Sequence, residues 1–249
     1  MLKKSLLSIL FLSGTVFASS INIAVAANVS YAISDLKKEF NKQYPDTKVR
    51  VTLGGSGKLT AQIINGAPYH IFMSANMKYP EALYKDGSAS TKPLIYAQGS
   101  LAILSNTKQD FSKGINLIAN SNIKRIAIAN PKTAPYGKAT IEALKNAKLY
   151  ESVKKKFVYG ESISQTVSYT VTATDIGFIA KSSLYSPKMK RFKKGINWID
   201  LNSELYTPIN QGIVILKNGK NSSDVKAFYD FIQSQKAKKI FKEFGYIVP

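Results

Sequence analysis

A glycine-rich stretch at residues 53–60 has the residue types that bind an anion. The alternating apolar residues at 48–53 predict a strand before it, and the apolar spacing at 59–64 predicts a helix after it. Glycines let the backbone come close to a ligand, and the first N–H groups of a helix have no partner within that helix. Ser56 adds a hydroxyl donor among the glycines. The residues alone leave two interpretations open, an anion site or a tight strand-to-helix turn.

The same stretch contains Ser-Gly-Lys but does not match a phosphate-binding P-loop. The first glycine of that motif would fall at Thr52, and the residue after Lys58 is Leu59 instead of serine or threonine. Nucleotide hydrolysis by a P-loop is therefore not expected.

A second junction of this kind follows a predicted strand at residues 21–26. Asn28 or Ser30 is expected to cap a helix at 30–43. In an open sheet of parallel strands, such loops lie at the carboxyl ends of the strands, where ligands bind. We therefore expect this junction and the one at Ser56 to lie at the same edge of the sheet.

Two more junctions occur later in the chain. Tyr136 lies just before a predicted helix at 138–148, and its hydroxyl either closes over a ligand or belongs to an aromatic ring that only packs. Ser162 or Ser164 is expected to cap the helix that follows a strand at 156–159. Free N–H groups are again expected at these helix starts.

Strands and helices alternate in the first third of the chain. Helices of about ten residues between strands predict right-handed crossovers and a parallel sheet. Two helices are predicted at the C-terminus. Later strands are predicted at 94–97, 101–104, 123–129, 156–159, 174–180, 196–201 and 212–216. Because the donor-bearing junctions fall in two separate sets of strands, we predict an α/β protein with two lobes that face each other across a cleft.

Catalytic and metal-binding constellations are missing from the sequence. It has no cysteine and a single histidine, His70, which is expected at a strand edge or in the core. Glu161 and Asp175 lie beside predicted loops but are expected to be surface carboxylates. We therefore predict a protein that is not an enzyme and that has no cation site.

The chain is strongly basic, with 35 lysines and arginines against 15 acidic residues. Its arginines are Arg50, Arg125 and Arg191, and its lysines are spread over many predicted helix faces. Because bidentate recognition of bases and phosphates favours arginine, no nucleic-acid partner is expected. A dispersed lysine surface would steer small anions toward the protein. Binding to polyanions or membrane surfaces is the less favoured alternative.

Residues 1–18 have the features of a secretory signal peptide. A basic start at Lys3 and Lys4 precedes an apolar run to Phe17, and Ala18 supplies a small residue at the cleavage position. The run is short for a membrane-spanning helix. We therefore predict cleavage after Ala18 and export of a soluble protein, whose formal net charge would fall from +20 to +18 with the loss of the two lysines.

Several short motifs follow one another along the rest of the chain. They are Ala26-Ala27-Asn28, Gly55-Ser56-Gly57, Ala61-Gln62-Ile63, Asn65-Gly66-Ala67-Pro68, Ile71-Phe72-Met73-Ser74-Ala75-Asn76, Asn130-Pro131, Ala134-Pro135-Tyr136-Gly137, Ile176-Gly177-Phe178 and Phe241-Lys242-Glu243-Phe244-Gly245-Tyr246. In their order and spacing, these motifs resemble those of the periplasmic molybdate-binding proteins of ABC transporters.

This resemblance implies a two-lobed α/β periplasmic binding protein of type II. Lobe I would comprise residues 19–97 with 209–249, and lobe II residues 98–208, with an oxyanion bound in the cleft between them. The implied ligand is molybdate, and tungstate as well, with a receptor for sulfate or phosphate as the alternative. The positions that match the ligand contacts of this family are Ala27, Asn28, Ser56, Tyr136 and Ile163.

The sequence departs from many members of that family. Asn28 stands where serine is common, and Ala180 stands where a tyrosine is common. Ala27 offers only its backbone where a related subgroup has a threonine hydroxyl. The resemblance further implies a periplasmic monomer that needs no cofactor, binds the oxyanion through uncharged donors and has the membrane permease of an ABC importer as its partner.

Overall fold

A computed structural model describes residues 19–249 of the chain, so the predicted signal peptide at 1–18 lies outside the described residues. The described part forms two five-stranded sheets with helices packed against them. No helix within this part is long and apolar enough to cross a membrane.

The two sheets use different sections of the chain. In the first sheet the strand order is β2-β1-β3-β10-β4, and in the second it is β7-β6-β8-β5-β9. The strands are β1 (Ser19–Ala26), β2 (Thr47–Gly54), β3 (Ile71–Met73), β4 (Leu94–Gly99), β5 (Leu101–Leu104), β6 (Ile126–Ala129), β7 (Phe157–Gly160), β8 (Ile176–Ala180), β9 (Trp198–Asp200) and β10 (Ile209–Ile215).

The helices connect these strands and cover the sheets. They are α1 (Ile33–Asn41), α2 (Ser56–Ile64), α3 (Lys78–Lys85), α4 (Pro135–Asn146), α5 (Tyr150–Val153), α6 (Ile163–Thr172), α7 (Ser223–Ile232) and α8 (Gln235–Glu243). Short 3-10 turns lie between them, and the first of these is Ala27–Tyr31.

Both sheets are mixed. The predicted parallel arrangement is confirmed for β1, β2 and β3, and also holds for β6, β7 and β8. By contrast, β10 runs antiparallel to β3 and β4, and β5 runs antiparallel to β8 and β9. Both reversed strands, β5 and β10, enter their sheet directly from the other sheet. Neither is therefore preceded by the helical crossover that a parallel strand needs.

The chain crosses between the sheets twice. It leaves the first sheet between Gly99 and Leu101, and it returns between Asp200 and Ile209. The exact lobe boundaries predicted at 97/98 and 208/209 stay a prediction. Because these two connections are the only ones that join the sheets in residues 19–249, the predicted two-lobed architecture is the one observed.

One predicted helix start is wrong. Neither Asn28 nor Ser30 caps a helix at 30–43, because residues Ala27–Tyr31 form a 3-10 turn and α1 begins only at Ile33. The physical reason lies in the side chain of Asn28, which is fully buried and hydrogen-bonded to residues far away in sequence. An amide engaged in this way cannot also cap a helix.

The C-terminal helices complete the core of the first sheet. Phe40 of α1 packs edge-on against Phe228 of α7 at 5.0 Å and against Phe231 at 5.6 Å between ring centroids. All three rings are buried. The last part of the chain is therefore held against one of the first helices by aromatic packing.

Replacing Phe40 with alanine should lower the free energy of unfolding by roughly 3–5 kcal/mol, because it removes a buried ring and leaves a cavity between α1 and α7. Tyr84 of α3 is 40% exposed and provides a matched control, since Tyr84→Ala should cost far less. Urea denaturation followed by circular dichroism measures both. Equal costs for the two variants would contradict this account of the core.

Candidate functional site

All five predicted contact residues lie around one small cavity between the two sheets. They are Ala27, Asn28, Ser56, Tyr136 and Ile163. The cavity is also lined by Ala26, Gly54, Gly55, Ala75, Ala134 and Pro135. None of these lining residues carries a charge. The structure thus brings the predicted residues together, and their contact with a ligand stays a prediction.

The size of this cavity restricts what it can hold. Its volume is about 10 Å³, far below the roughly 300–1,000 Å³ of cavities that hold drug-sized ligands. A ligand of only a few atoms is therefore the appropriate size. A wider groove of about 770 Å³ lies beside residues 108–112 and contains none of the predicted contacts.

Helix starts surround the cavity. Ser56 is the first residue of α2, Ile163 is the first residue of α6, and Tyr136 is the second residue of α4 after Pro135. Ala27 and Asn28 begin the 3-10 turn after β1. The first N–H groups of a helix have no carbonyl partner within it and carry its positive end. Three α-helix starts and one 3-10 turn thus lie around one space, an arrangement that favours negative charge there.

The hydroxyl of Ser56 is positioned to donate a hydrogen bond. Ser56 is 1% exposed, and its Oγ accepts a hydrogen bond of 3.0 Å from the backbone N–H of Ala75. Because the oxygen is held as an acceptor on one side, its own O–H is directed elsewhere. A ligand in the cavity can receive that hydrogen.

The side chain of Tyr136 is buried and its hydroxyl bonds within the protein. Its hydroxyl lies 3.3 Å from Nε2 of Gln211, close to the strand that leaves the first sheet. A Cβ atom added to Gly99 would lie only 1.9 Å from this hydroxyl, so glycine is required there. The side chain therefore packs at the connection between the lobes. We infer that Tyr136 offers its backbone N–H, at the start of α4, to the cavity.

Asn28 also bonds within the protein. Its Nδ2 donates to Oε1 of Gln211 at 2.8 Å and to the hydroxyl of Tyr246 at 2.9 Å. Burial raises the pKa of Tyr246 and the pKa of Tyr136, so both hydroxyls stay protonated at neutral pH. The groups around the cavity are consequently uncharged.

Sequence reasoning missed Gln211, which is fully buried on β10 and contacts both Asn28 and Tyr136. The available signal was a lone polar side chain at the edge of the apolar run that forms β10 (Ile209–Ile215). A polar residue in a strand buried on both faces needs internal partners.

Backbone contacts close the cavity from both lobes. The N–H of Gly57 donates to the carbonyl of Thr133 at 2.9 Å, and Oγ of Ser164 donates to the carbonyl of Ala27 at 2.7 Å. A Cβ atom on Gly57 would lie 3.0 Å from the carbonyl oxygen of Thr133. The glycines of the predicted anion loop thus also permit close approach of the opposite lobe.

The remaining polar candidates have structural roles. Oδ2 of Asp175 accepts hydrogen bonds of 2.8 Å from the N–H groups of Lys124 and Arg125. Glu161 is exposed and lies 3.3 Å from Lys58 across the mouth of the cleft. Nδ1 of His70 accepts from the N–H of Asn22, and in residues 19–249 no cluster of three or more acidic or histidine side chains could hold a metal ion.

Comparison with known proteins assigns this architecture to a family. The model of the bacterial extracellular solute-binding protein family matches residues 21–247. The chain belongs to this family.

Individual relatives of this solute-binding protein match over nearly its whole length. It is 36% identical over 234 residues to the molybdate-binding protein ModA of Azotobacter vinelandii, covering 92% of this chain and 90% of that protein. It is 32% identical to ModA of Rhodobacter capsulatus, covering 92% and 89%. The solved structure of the A. vinelandii periplasmic molybdate-binding protein superposes with a TM-score of 0.85 at 31% identity, covering 92% of this chain and 99% of that one.

Replacing Gly57 with valine should prevent full closure of the two lobes, because its branched side chain would collide with the carbonyl of Thr133. Small-angle X-ray scattering should then give a larger radius of gyration than for the unmodified protein. Lys58→Ala is the matched control, since it removes only the exposed ion pair with Glu161, which contributes little. An unchanged scattering curve for Gly57→Val would show that this contact does not limit closure.

Proposed function

We propose that this protein captures molybdate, and tungstate as well, in the cavity between its lobes. The observation that carries the proposal is the convergence of four helical starts on one small cavity lined by uncharged residues. The similarity to two ModA proteins over about nine-tenths of the chain supports the same ligand.

Uncharged donors suit a fully deprotonated oxyanion. A dianion that enters a closed cavity loses its hydration, and fixed hydrogen-bond donors must replace it. Phosphate carries a proton on at least one oxygen at neutral pH, and this O–H would face another donor in the cavity. Sulfate has no such proton but is smaller than molybdate. We therefore expect donor chemistry to exclude phosphate and cavity size to exclude sulfate.

We further propose that the protein delivers its ligand to the permease of an ABC importer. This fits a periplasmic location, a monomeric state and the absence of catalysis. Closure around the ligand would give the permease a surface formed by both lobes. The Gly57–Thr133 and Ser164–Ala27 hydrogen bonds are the contacts that would distinguish that surface from the open form.

The thermal midpoint of unfolding should rise with molybdate and with tungstate, because a ligand that binds only the native state stabilises it. At one hundred times the dissociation constant the stabilisation is about 2.7 kcal/mol, or roughly 5–11 °C for a protein of this size. Differential scanning fluorimetry with molybdate, tungstate, sulfate and phosphate measures it. Equal shifts with sulfate would overturn the size argument, and no shift with any of the four would overturn the proposed function.

Ser56→Ala should weaken molybdate binding roughly 10- to 150-fold, because it removes a hydrogen bond to a charged ligand worth about 1.5–3 kcal/mol. The matched control is Ser168→Ala, which removes an exposed hydroxyl on α6. Isothermal titration calorimetry gives both affinities. Equal affinities for the two variants would remove Ser56 from the site.

A further inference from the structure

Gln211 connects cavity residues of the two lobes. Its Oε1 accepts hydrogen bonds of 2.8 Å from Nδ2 of Asn28 and 2.8 Å from the hydroxyl of Tyr96, both in the first lobe. Its Nε2 donates to the hydroxyl of Tyr136 in the second lobe at 3.3 Å. One buried amide therefore contacts two of the five predicted ligand residues.

Asn28 leaves one polar atom without a partner. Its Nδ2 is taken by Gln211 and by Tyr246, while its Oδ1 is buried and has no hydrogen-bond donor among the described residues. Asn28 lines the cavity. A buried acceptor without a donor is unfavourable, and beside a bound anion it would also be repelled.

A second arrangement of the two amides pairs the atoms differently. The oxygen and the NH₂ group of an amide occupy nearly the same space, so a half-turn exchanges donor and acceptor. If Asn28 and Gln211 both turn over, Oδ1 of Asn28 takes the former place of Nδ2. It then accepts from Nε2 of Gln211, which takes the place that Oε1 now holds at 2.8 Å. It also accepts from the hydroxyl of Tyr246 at 2.9 Å, whose hydrogen now goes to the carbonyl of Asn28 and would turn to Oδ1.

The surrounding hydroxyls can follow this exchange. The hydroxyl of Tyr96, which now donates to Gln211, would accept from it and donate to the carbonyl of Ser74 at 3.5 Å. The hydroxyl of Tyr136 would donate to Oε1 of Gln211. The carbonyl of Asn28 would keep its hydrogen bond of 3.1 Å from Oγ of Ser182. That carbonyl would give up the hydrogen bond that it now accepts from the hydroxyl of Tyr246, and Oδ1 of Asn28 would gain it.

We propose that Asn28 and Gln211 form an amide relay that turns over when an oxyanion enters the cavity. In the turned arrangement the NH₂ group of Asn28 faces the ligand, and Gln211 is the positioning residue that holds it there. The ligand selects this arrangement because it binds a donor better than an acceptor. The inference rests on the proposed function and adds to it a residue outside the cavity.

A double-mutant cycle with molybdate tests the relay. Asn28→Ala should weaken binding roughly 10- to 100-fold, because it removes a hydrogen bond to a charged ligand. Gln211→Met, which keeps the side-chain length but cannot hold the Asn28 amide, should weaken binding about tenfold. If Gln211 acts through Asn28, the double variant should bind as the Asn28→Ala variant does. Calorimetry gives the four affinities.

The matched control is Gln98→Met on β4, which makes the same chemical change in the other connecting segment and should leave the affinity unchanged. Losses that add in the double variant would overturn the relay. Failure of the unmodified protein to bind molybdate would instead overturn the proposed function itself.

Nuclear magnetic resonance tests the relay on the unmodified protein, so the result does not depend on whether a variant folds. In the protein labelled with ¹⁵N, the side-chain NH₂ signals of both Asn28 and Gln211 should move when molybdate saturates the site. Movement of the Asn28 signal alone would refute the relay, since the two amides must turn together.

Discussion

For the proposed ligand, a small anion held without a charged partner, the exclusion of water is the constraint on which the rest of this structure depends. The hydration that the anion loses must be replaced by donors whose positions are fixed before it arrives. Backbone N–H groups at helix starts meet this need because they are rigid and lack partners within the helix. In each lobe, several strands are accordingly followed directly by a helix start, and the cavity lies between these helix starts.

Closure depends on how closely the two backbones can approach. Gly57 belongs to the predicted anion loop, and its N–H also donates to the carbonyl of Thr133 in the opposite lobe. Gly99 has a different role, because it leaves room for the hydroxyl of Tyr136 at the connection between the lobes. Small residues at these positions therefore determine how closely the two lobes pack.

The architecture could be predicted from the sequence because the local signals for strands, turns and helix caps agree with the overall fold. Strand-to-helix junctions carry their own turn and capping residues, and Ser162 caps α6 as one of the two predicted alternatives. The hydrogen-bond partners of the Asn28 and Tyr136 side chains were not predictable, since both contact Gln211, which is distant in sequence from them. Partners of buried polar groups are set by tertiary structure, and a single sequence carries no record of them.

The position of β10 in the first sheet has a consequence for the order of folding. This strand lies between β3 and β4, although residues 209–215 follow the whole second sheet in sequence. A chain that emerges from its N-terminus cannot attach β4 to the first sheet until β10 has appeared, and β10 begins only at Ile209, long after β4 has ended at Gly99. The second sheet, whose strands run without interruption from Leu101 to Asp200, has no such delay. The lobe that begins first is therefore completed last.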